Sequence, residues 1–202
     1  MPKTIIVLFS CGTLLLGCSK KTPNYSPITD SSRWEYTLEF SSPCLGFQRG
    51  KGVVRMDGHE TINGMDYSKL VTVVTGIPSY EPFTLYRRYT TDAVYEIPTK
   101  PIGDPSQEDI SLLLPPTVGK KWQTETPDAH TEWKIEAIET AELIDRKYEG
   151  CLKVSYRRTY KNGSNPKTTV GYQYLAPGVG NVKEHFQQGD SLFTFTLDKH
   201  TK

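Results

Sequence analysis

Cysteine and histidine are the residues of this chain best suited to nucleophilic chemistry or metal binding. The chain has four of each, and His59, His130, His185 and His200 stand far apart in sequence. No pair follows a short metal-ligand spacing such as Cys-x-x-Cys or His-Glu-x-x-His. No Gly-x-Ser-x-Gly turn presents a serine nucleophile. We therefore predict no catalytic residue, no metal site and no bound cofactor, and we expect that the protein is not an enzyme.

Cys18 is the one cysteine whose neighbours indicate a defined chemistry. Lys3 is followed by a short apolar run that ends in Leu15-Leu16-Gly17-Cys18. A basic start and a short apolar core are typical of a secretory signal. The run is shorter than the roughly 20 residues that span a bilayer as a helix. The sequence therefore predicts export rather than a membrane-spanning segment.

The tetrapeptide Leu15-Leu16-Gly17-Cys18 resembles the lipobox of bacterial lipoproteins. In that family the cysteine thiol accepts a diacylglyceryl group, and a peptidase then cleaves before the modified residue. The resemblance implies that residues 1–17 are a cleaved signal peptide, with cleavage between Gly17 and Cys18. It also implies that Cys18 carries covalent diacylglyceryl and N-acyl lipid as the membrane anchor.

Residues 18–32 are polar, contain Pro23 and Pro27, and show no apolar periodicity. This composition predicts a flexible, lipidated tether between the anchor and the folded domain. Several acyl chains together hold a protein stably on a membrane. Ser19 after the lipidated cysteine resembles the signal for transport to the outer membrane. In a Gram-negative cell this implies a location on that membrane, facing the periplasm.

The charge balance excludes one class of partner. Residues 1–17 carry only Lys3, so the mature chain has 23 basic and 23 acidic residues. A chain without a basic excess lacks the electrostatic field that binds nucleic acid. Residues 33–202, about 170 in number, fit a single domain.

The pattern of this domain is that of short strands divided by turns. Trp34, Tyr36, Leu38 and Phe40 alternate with polar residues, as on a half-buried strand. Similar segments are separated by turn sequences, of which Asp57-Gly58, Asn63-Gly64, Asn162-Gly163 and Gly189-Asp190 are typical. We predict an all-β fold, an antiparallel meander of about ten strands that forms a curved sheet or half-open barrel. Residues 98–109 form a Pro-rich loop, and residues 137–146 are the one candidate helix.

Three segments of the C-terminal half carry a second resemblance. They are Leu114–Trp122, Tyr148–Val154 and Tyr174–Lys183, the last containing Pro177-Gly178-Val179-Gly180. In this order they resemble a group of uncharacterised bacterial secreted proteins and lipoproteins with a Tyr-x-x-Pro-Gly-Val-Gly-x-Val-Lys hairpin. The resemblance implies a curved sheet, remotely similar to the lipoprotein-localisation factors that hold acyl chains in a half-barrel. It implies no catalysis.

Two further sets of residues leave alternatives open. Once Cys18 is lipidated and Cys11 removed, Cys44 and Cys151 could form a disulfide in an oxidising compartment, or remain separate thiols. Arg87-Arg88 and Arg157-Arg158 each place one arginine on each face of a strand. The inward member needs a buried carboxylate or a ligand anion, and we expect structural pairing with a carboxylate.

These observations leave three hypotheses for function. The first is a non-enzymatic, lipid-anchored envelope protein that binds another envelope protein or has a structural role. The second is a carrier or sensor of an apolar ligand, such as an acyl chain or lipid, inside the curved sheet. The third is an envelope hydrolase without a recognisable motif. A packed interior would favour the first, and a cavity of several hundred Å³ would favour the second.

Overall fold

The computed structural model describes residues 23–77, 82–98, 105–161 and 167–202. Several predictions lie outside these ranges and stay predictions. They are the signal peptide 1–17, the lipobox with Gly17 and Cys18, the Asn162-Gly163 turn and residues 99–104 of the Pro-rich loop.

The described residues form one sheet of twelve strands with a single 3₁₀ turn at Pro105–Gln107. The strands are β1 Arg33–Ser42, β2 Gly46–Ile62, β3 Met65–Thr75, β4 Phe83–Tyr89, β5 Ala93–Pro98, β6 Asp109–Leu113, β7 Lys121–Glu125, β8 Ala129–Glu142, β9 Lys147–Tyr160, β10 Thr168–Ala176, β11 Gly180–Gln188 and β12 Ser191–Thr201. All eleven pairings are antiparallel, which confirms the predicted all-β meander. The strand number is twelve rather than about ten.

The order of strands brings the two edges of the sheet together. The sheet runs from β6 down to β1, continues to β12, and then runs down to β7. β6 and β7 are its edges, and the Trp122 indole of β7 donates a hydrogen bond to the Ile110 carbonyl of β6 at 2.8 Å. We call this β6–β7 contact the seam. The sheet is thus a nearly closed barrel, further closed than the predicted half-open form.

The turn residues explain one confirmed hairpin and one wrong prediction. Asn63 and Gly64 both have positive φ, 49° and 77°, as a tight hairpin between β2 and β3 requires. The hairpin predicted at Asp57-Gly58 is wrong, because β2 continues through it. The register with β3 shifts between Met56 and His59, and Gly58 has φ of 97°. A bulge therefore takes up the residues that the sequence pattern assigned to a turn.

The candidate helix at residues 137–146 is also wrong. β8 extends to Glu142, and a turn follows in which the Leu143 amide donates to the Arg146 carbonyl at 2.9 Å. Alternation of buried and exposed positions along β8 outweighs helix propensity, because one face of the strand packs into the barrel.

One end of the barrel is covered by residues 24–29, which we call the N-terminal segment. This near end, where β1 begins, also holds the β10–β11 turn, whose Gly178 amide donates to the Asn24 carbonyl at 2.7 Å. Tyr25 is 5% exposed, and its hydroxyl donates to the Gly150 carbonyl at 3.1 Å. The prediction of a flexible tether over residues 18–32 differs from the structure at residues 24–29, because these residues pack against the barrel. The opposite end, where β1 stops, is the far end.

Candidate functional site in the barrel lumen

The barrel encloses a cavity of about 470 Å³, which we call the lumen. Inward positions of most strands form its wall, and Ser26 and Pro27 of the N-terminal segment close it at the near end. The lining reaches the far end at Phe83, Tyr160 and Gln188, the first or last residues of β4, β9 and β11. The apolar wall consists of Trp34, Tyr36, Leu38, Val54, Leu70, Val74, Phe83, Leu85, Leu112, Trp133, Leu175, Phe186 and Phe195. This size and lining are typical of small-molecule sites.

A second cavity of about 340 Å³ adjoins the lumen. The two cavities share Leu85, Glu96, Trp133, Arg158 and Tyr160, among others. The second extends to the far end, where it is lined by the 3₁₀ turn and the β7–β8 turn. Charged side chains therefore lie where the two cavities meet.

The first inward charge is Arg87, on β4. Its Nε donates to Glu96 Oε1 of β5 at 2.7 Å, and its Nη1 donates to the Ser26 hydroxyl at 2.9 Å. Burial alone would lower the pKa of Arg87, but Glu96 and Tyr89 outweigh it and the pKa is raised. Arg87 is thus a charged group that joins the lumen wall to the N-terminal segment.

The second inward charge is Arg158, on β9. Its Nη2 donates to Asp109 Oδ2 of β6 at 2.7 Å, and its Nε donates to the Thr131 hydroxyl at 3.1 Å. The Thr124 hydroxyl of β7 donates to the other oxygen of Asp109. Asp109 therefore bridges the seam. Both inward arginines have carboxylate partners, which confirms the expected structural pairing.

A third inward charge, Glu184 of β11, has no such partner. It accepts hydrogen bonds from the Tyr156 hydroxyl at 2.9 Å and from Asn181 Nδ2 at 3.2 Å. Among the described residues no basic side chain forms an ion pair with it. Burial raises the pKa of Glu184, and the charge of Glu96 adds to this effect. The hydrogen bonds from Tyr156 and Asn181 and the charge of Arg158 lower the pKa, but they do not cancel the effect of burial.

Three buried polar atoms of the lumen wall lack a hydrogen-bond partner among the described residues. They are Trp133 Nε1, Thr169 Oγ1 and Asn181 Oδ1. Trp133 is 8% exposed and Thr169 is 6% exposed. Buried polar groups are nearly always satisfied, so three in one cavity indicate a place where a ligand could bind.

The barrel is similar to solved structures of exported bacterial proteins. A predicted exported protein with a YmcC-like fold from Bacteroides fragilis aligns with a TM-score of 0.56 and 12% identity, covering 89% of this chain and 100% of that one. This chain has the YmcC-like fold. A predicted lipoprotein from Parabacteroides distasonis aligns with a TM-score of 0.45 and 14% identity, covering 90% of this chain and 100% of that one. No family model and no curated protein matches the sequence.

The histidines of the YmcC-like barrel lie in separate surroundings, none of them in the lumen wall. His59 contacts Asp30, His130 contacts Glu125, His185 contacts Thr194, and His200 stacks on Trp34. In the parts of the chain that the structure describes, no three His, Cys, Asp or Glu residues are grouped to hold a metal ion.

Cys44 and Cys151 are free thiols in the structure. Cys44 is exposed in the far-end turn between β1 and β2, whereas Cys151 is buried in the near-end half of β9. Burial raises the pKa of the Cys151 thiol, whose sulfur donates to the Tyr148 carbonyl at 3.2 Å. The two cysteines therefore lie toward opposite ends of the barrel. Within the described ranges, no helix has the length and apolar character to cross a membrane.

Sequence reasoning missed the inward carboxylates of the YmcC-like barrel, because only the two Arg-Arg pairs were predicted to place a charge inside. A signal for one of them was present in the sequence. Glu184 alternates in phase with Val182 and Phe186, whose side chains lie inside the barrel. When the alternation of a strand places an acidic side chain inside the barrel, we expect that side chain to have a buried partner or to bind a ligand.

Proposed function

We propose that this protein is a lipid-anchored protein of a bacterial cell envelope that binds an apolar ligand, such as an acyl chain or lipid, in the lumen. The observation that carries the proposal is the 470 Å³ cavity with its aromatic and aliphatic wall. A purely structural barrel would gain stability by filling this space, because cavities cost free energy. In this proposal the protein acts by binding and release, without catalysis.

The N-terminal segment supports a defined orientation on the membrane. Its residues pack on the near end, and only six peptide units separate Cys18 from Asn24. Extended chain spans roughly 3.5 Å per residue, so lipid on Cys18 would hold the near end within about 20 Å of the bilayer. The far end, which the lumen reaches, would then face away from that membrane. The Bacteroides fragilis protein of the same fold is a predicted exported protein, which supports export of this chain.

The binding role can be tested on protein extracted from its own membranes. Mass spectrometry under native conditions is expected to find a bound ligand in addition to the lipid on Cys18. Val54→Trp, which adds bulk inside the lumen, is expected to abolish that ligand. Val73→Trp is the matched control, since Val73 is 39% exposed on the outer face of neighbouring β3. The carrier role is wrong if the native protein contains no ligand, or if both variants retain it equally.

The anchor can be tested separately. Cys18→Ala removes the thiol that accepts lipid, so the protein is expected to move from the membrane fraction to the soluble fraction. Cys44→Ala is the control, because an exposed thiol of the folded domain has no part in anchoring. If the Cys18→Ala protein stays with the membrane, the lipobox interpretation is wrong.

A further inference from the structure

We propose that the lumen selects ligands that carry an ammonium group, and that this group binds at Glu184 and Asn181. The inference rests on the proposed function, since it names the chemistry of the ligand that the lumen would hold. It concerns the polar end of the ligand, whereas the apolar wall accommodates the remainder.

The lumen wall holds two arginines and two glutamates, but Arg158 pairs with Asp109 of the adjoining cavity, so one glutamate is left without a cation. Arg87 is paired with Glu96, and Arg158 with Asp109. Glu184 is the third inward carboxylate, and no basic side chain of the described residues forms an ion pair with it; Arg158 acts on it only from beyond ion-pair distance. A buried carboxylate without a cation is costly, and a cationic ligand group would remove most of that cost. The same charge opposes a ligand that ends in a carboxylate.

The hydrogen-bonding groups at this place are acceptors. Each oxygen of Glu184 accepts one bond from a neutral donor, although a carboxylate has room for about four in total. Asn181 Nδ2 faces Glu184, and its Oδ1 is buried without a donor. An ammonium group has three N–H donors and no acceptor. It therefore satisfies the Asn181 oxygen and the free positions of Glu184 together.

Aromatic side chains surround this acceptor pair. Phe195 lies opposite Glu184 in the β11–β12 register, and Phe186 stacks on Phe195 with ring centroids 6.0 Å apart. Tyr156, which donates to Glu184, packs against Trp133 at 5.1 Å. Aromatic faces attract cations and also pack well against alkyl chains. The predicted ligand is thus an amphipathic amine, with its apolar part along this wall.

Three probes of equal chain length test the inference. n-Octylamine, n-octanol and octanoate are titrated into the purified protein at pH 7, with empty detergent micelles as the blank. Quenching of tryptophan fluorescence reports binding, since Trp34 and Trp133 line the lumen. A charge-assisted hydrogen bond is worth about 1.5–3 kcal/mol, so octylamine is expected to bind at least about tenfold more tightly than octanol. Octanoate is expected to bind most weakly.

Two variants test whether Glu184 is responsible for the preference for octylamine over octanol. Glu184→Gln keeps the size of the side chain and is expected to weaken octylamine binding about tenfold while leaving octanol binding unchanged. Glu132→Gln is the matched control, because Glu132 is exposed on β8, and it should change neither. The comparison of probes on the wild-type protein does not depend on any variant folding.

The outcomes separate the two proposals. If octanoate or octanol binds as tightly as octylamine, the ammonium inference is wrong and the binding function stands. The inference is also wrong if Glu184→Gln folds and keeps the full preference for the amine. If none of the three probes enters the lumen, both the inference and the proposed function are wrong.

Discussion

β1 and β12 meet along a backbone ladder from Arg33 and Thr201 to Ser41 and Leu192, whereas β6 and β7 meet at the seam through side chains. The ladder joins the first and last strands of the barrel with regular hydrogen bonds. At the seam, Trp122 bonds the Ile110 carbonyl, and Asp109 receives bonds from Thr124 and Arg158. The barrel is thus closed by main chain on one side and by specific polar side chains on the other.

The two kinds of wall use buried carboxylates differently. At the seam Asp109 accepts one hydrogen bond from Thr124 of β7 and one from the Arg158 guanidinium of β9, which neutralises its charge. On β11, which has ladders with both β10 and β12, Glu184 accepts hydrogen bonds from neutral donors only, as far as the described residues show. Where no ladder holds the strands, the buried charge contributes to the fold. On β11, which ladders hold on both sides, the charge of Glu184 is available for a ligand in our proposal, whereas Glu96 of β5 also lies between two ladders but is neutralised by Arg87.

The largest expected effect comes from breaking the seam. Asp109→Ala leaves the Arg158 guanidinium without its carboxylate and the Thr124 hydroxyl without an acceptor. Removing one member of a buried pair is strongly destabilising, so the free energy of unfolding is expected to fall by about 3 kcal/mol. Urea unfolding followed by tryptophan fluorescence measures it.

The control for that variant lies beside the ladder. Asp198 of β12 accepts hydrogen bonds from Thr37 and Lys51 on the outside of the barrel. Because the side chains of Lys51 and Asp198 are 66% and 37% exposed, solvent screens this ion pair, and Asp198→Ala is expected to cost at most about 1 kcal/mol. Equal losses for the two variants would contradict the comparison between seam and ladder.

A smaller effect is expected from Trp122→Phe. The ring still packs against Trp133, which it stacks on with centroids 5.9 Å apart, but the indole donor to Ile110 is lost. The expected destabilisation is about 1 kcal/mol, the usual value of one neutral hydrogen bond. Hydrogen exchange should become faster in β6 and β7 and stay unchanged in β1 and β12.

Trp34→Phe is the matched change away from the seam. Its indole donates to the Val179 carbonyl at 2.7 Å, and β1 is held by ladders on both sides. Loss of the Trp34 indole donor should therefore leave hydrogen exchange in β6 and β7 unchanged. Faster hydrogen exchange in β6 of this variant would contradict the interpretation that the seam opens independently of the β1–β12 ladder.

The smallest expected effect concerns Glu184 and depends on pH. Burial raises the pKa of Glu184 in the folded protein above its value in the unfolded chain. Between these two values the folded state binds more protons than the unfolded state, so this group lowers the free energy of unfolding as pH rises. Glu184→Gln removes that loss, and its stability relative to wild type is expected to increase from pH 4 to pH 8.

Urea unfolding of both proteins across this pH range measures the difference. Glu132→Gln is again the control, since an exposed carboxylate should give a curve parallel to wild type. If Glu184→Gln becomes relatively less stable as pH rises, a cationic partner already neutralises Glu184 and the contrast with Asp109 fails.

Much of the fold could be predicted because its signals are local. The alternation of Trp34, Tyr36, Leu38 and Phe40 with polar residues predicts a strand, and all four residues lie in β1. Asn63-Gly64 predicts its hairpin, since both residues accept positive φ. Asp57-Gly58 has the same type of sequence but forms a bulge, because β3 continues to pair beyond it. A turn dipeptide indicates which backbone conformations its own two residues favour. It does not indicate how far the partner strand continues.

The sequence by itself determined the all-β class, the two-residue alternation that gives a strand such as β1 its inward face, and the presence of one inward arginine in each Arg-Arg pair. The tertiary structure alone decided that the barrel nearly closes and that its interior keeps a cavity. It also brought Asp109 to Arg158, and Tyr156 and Asn181 to Glu184, from different strands. The physical reason is that a period of two residues shows which side chains point inward. The curvature and register of the whole sheet decide how far apart those side chains lie and whether they fill the space.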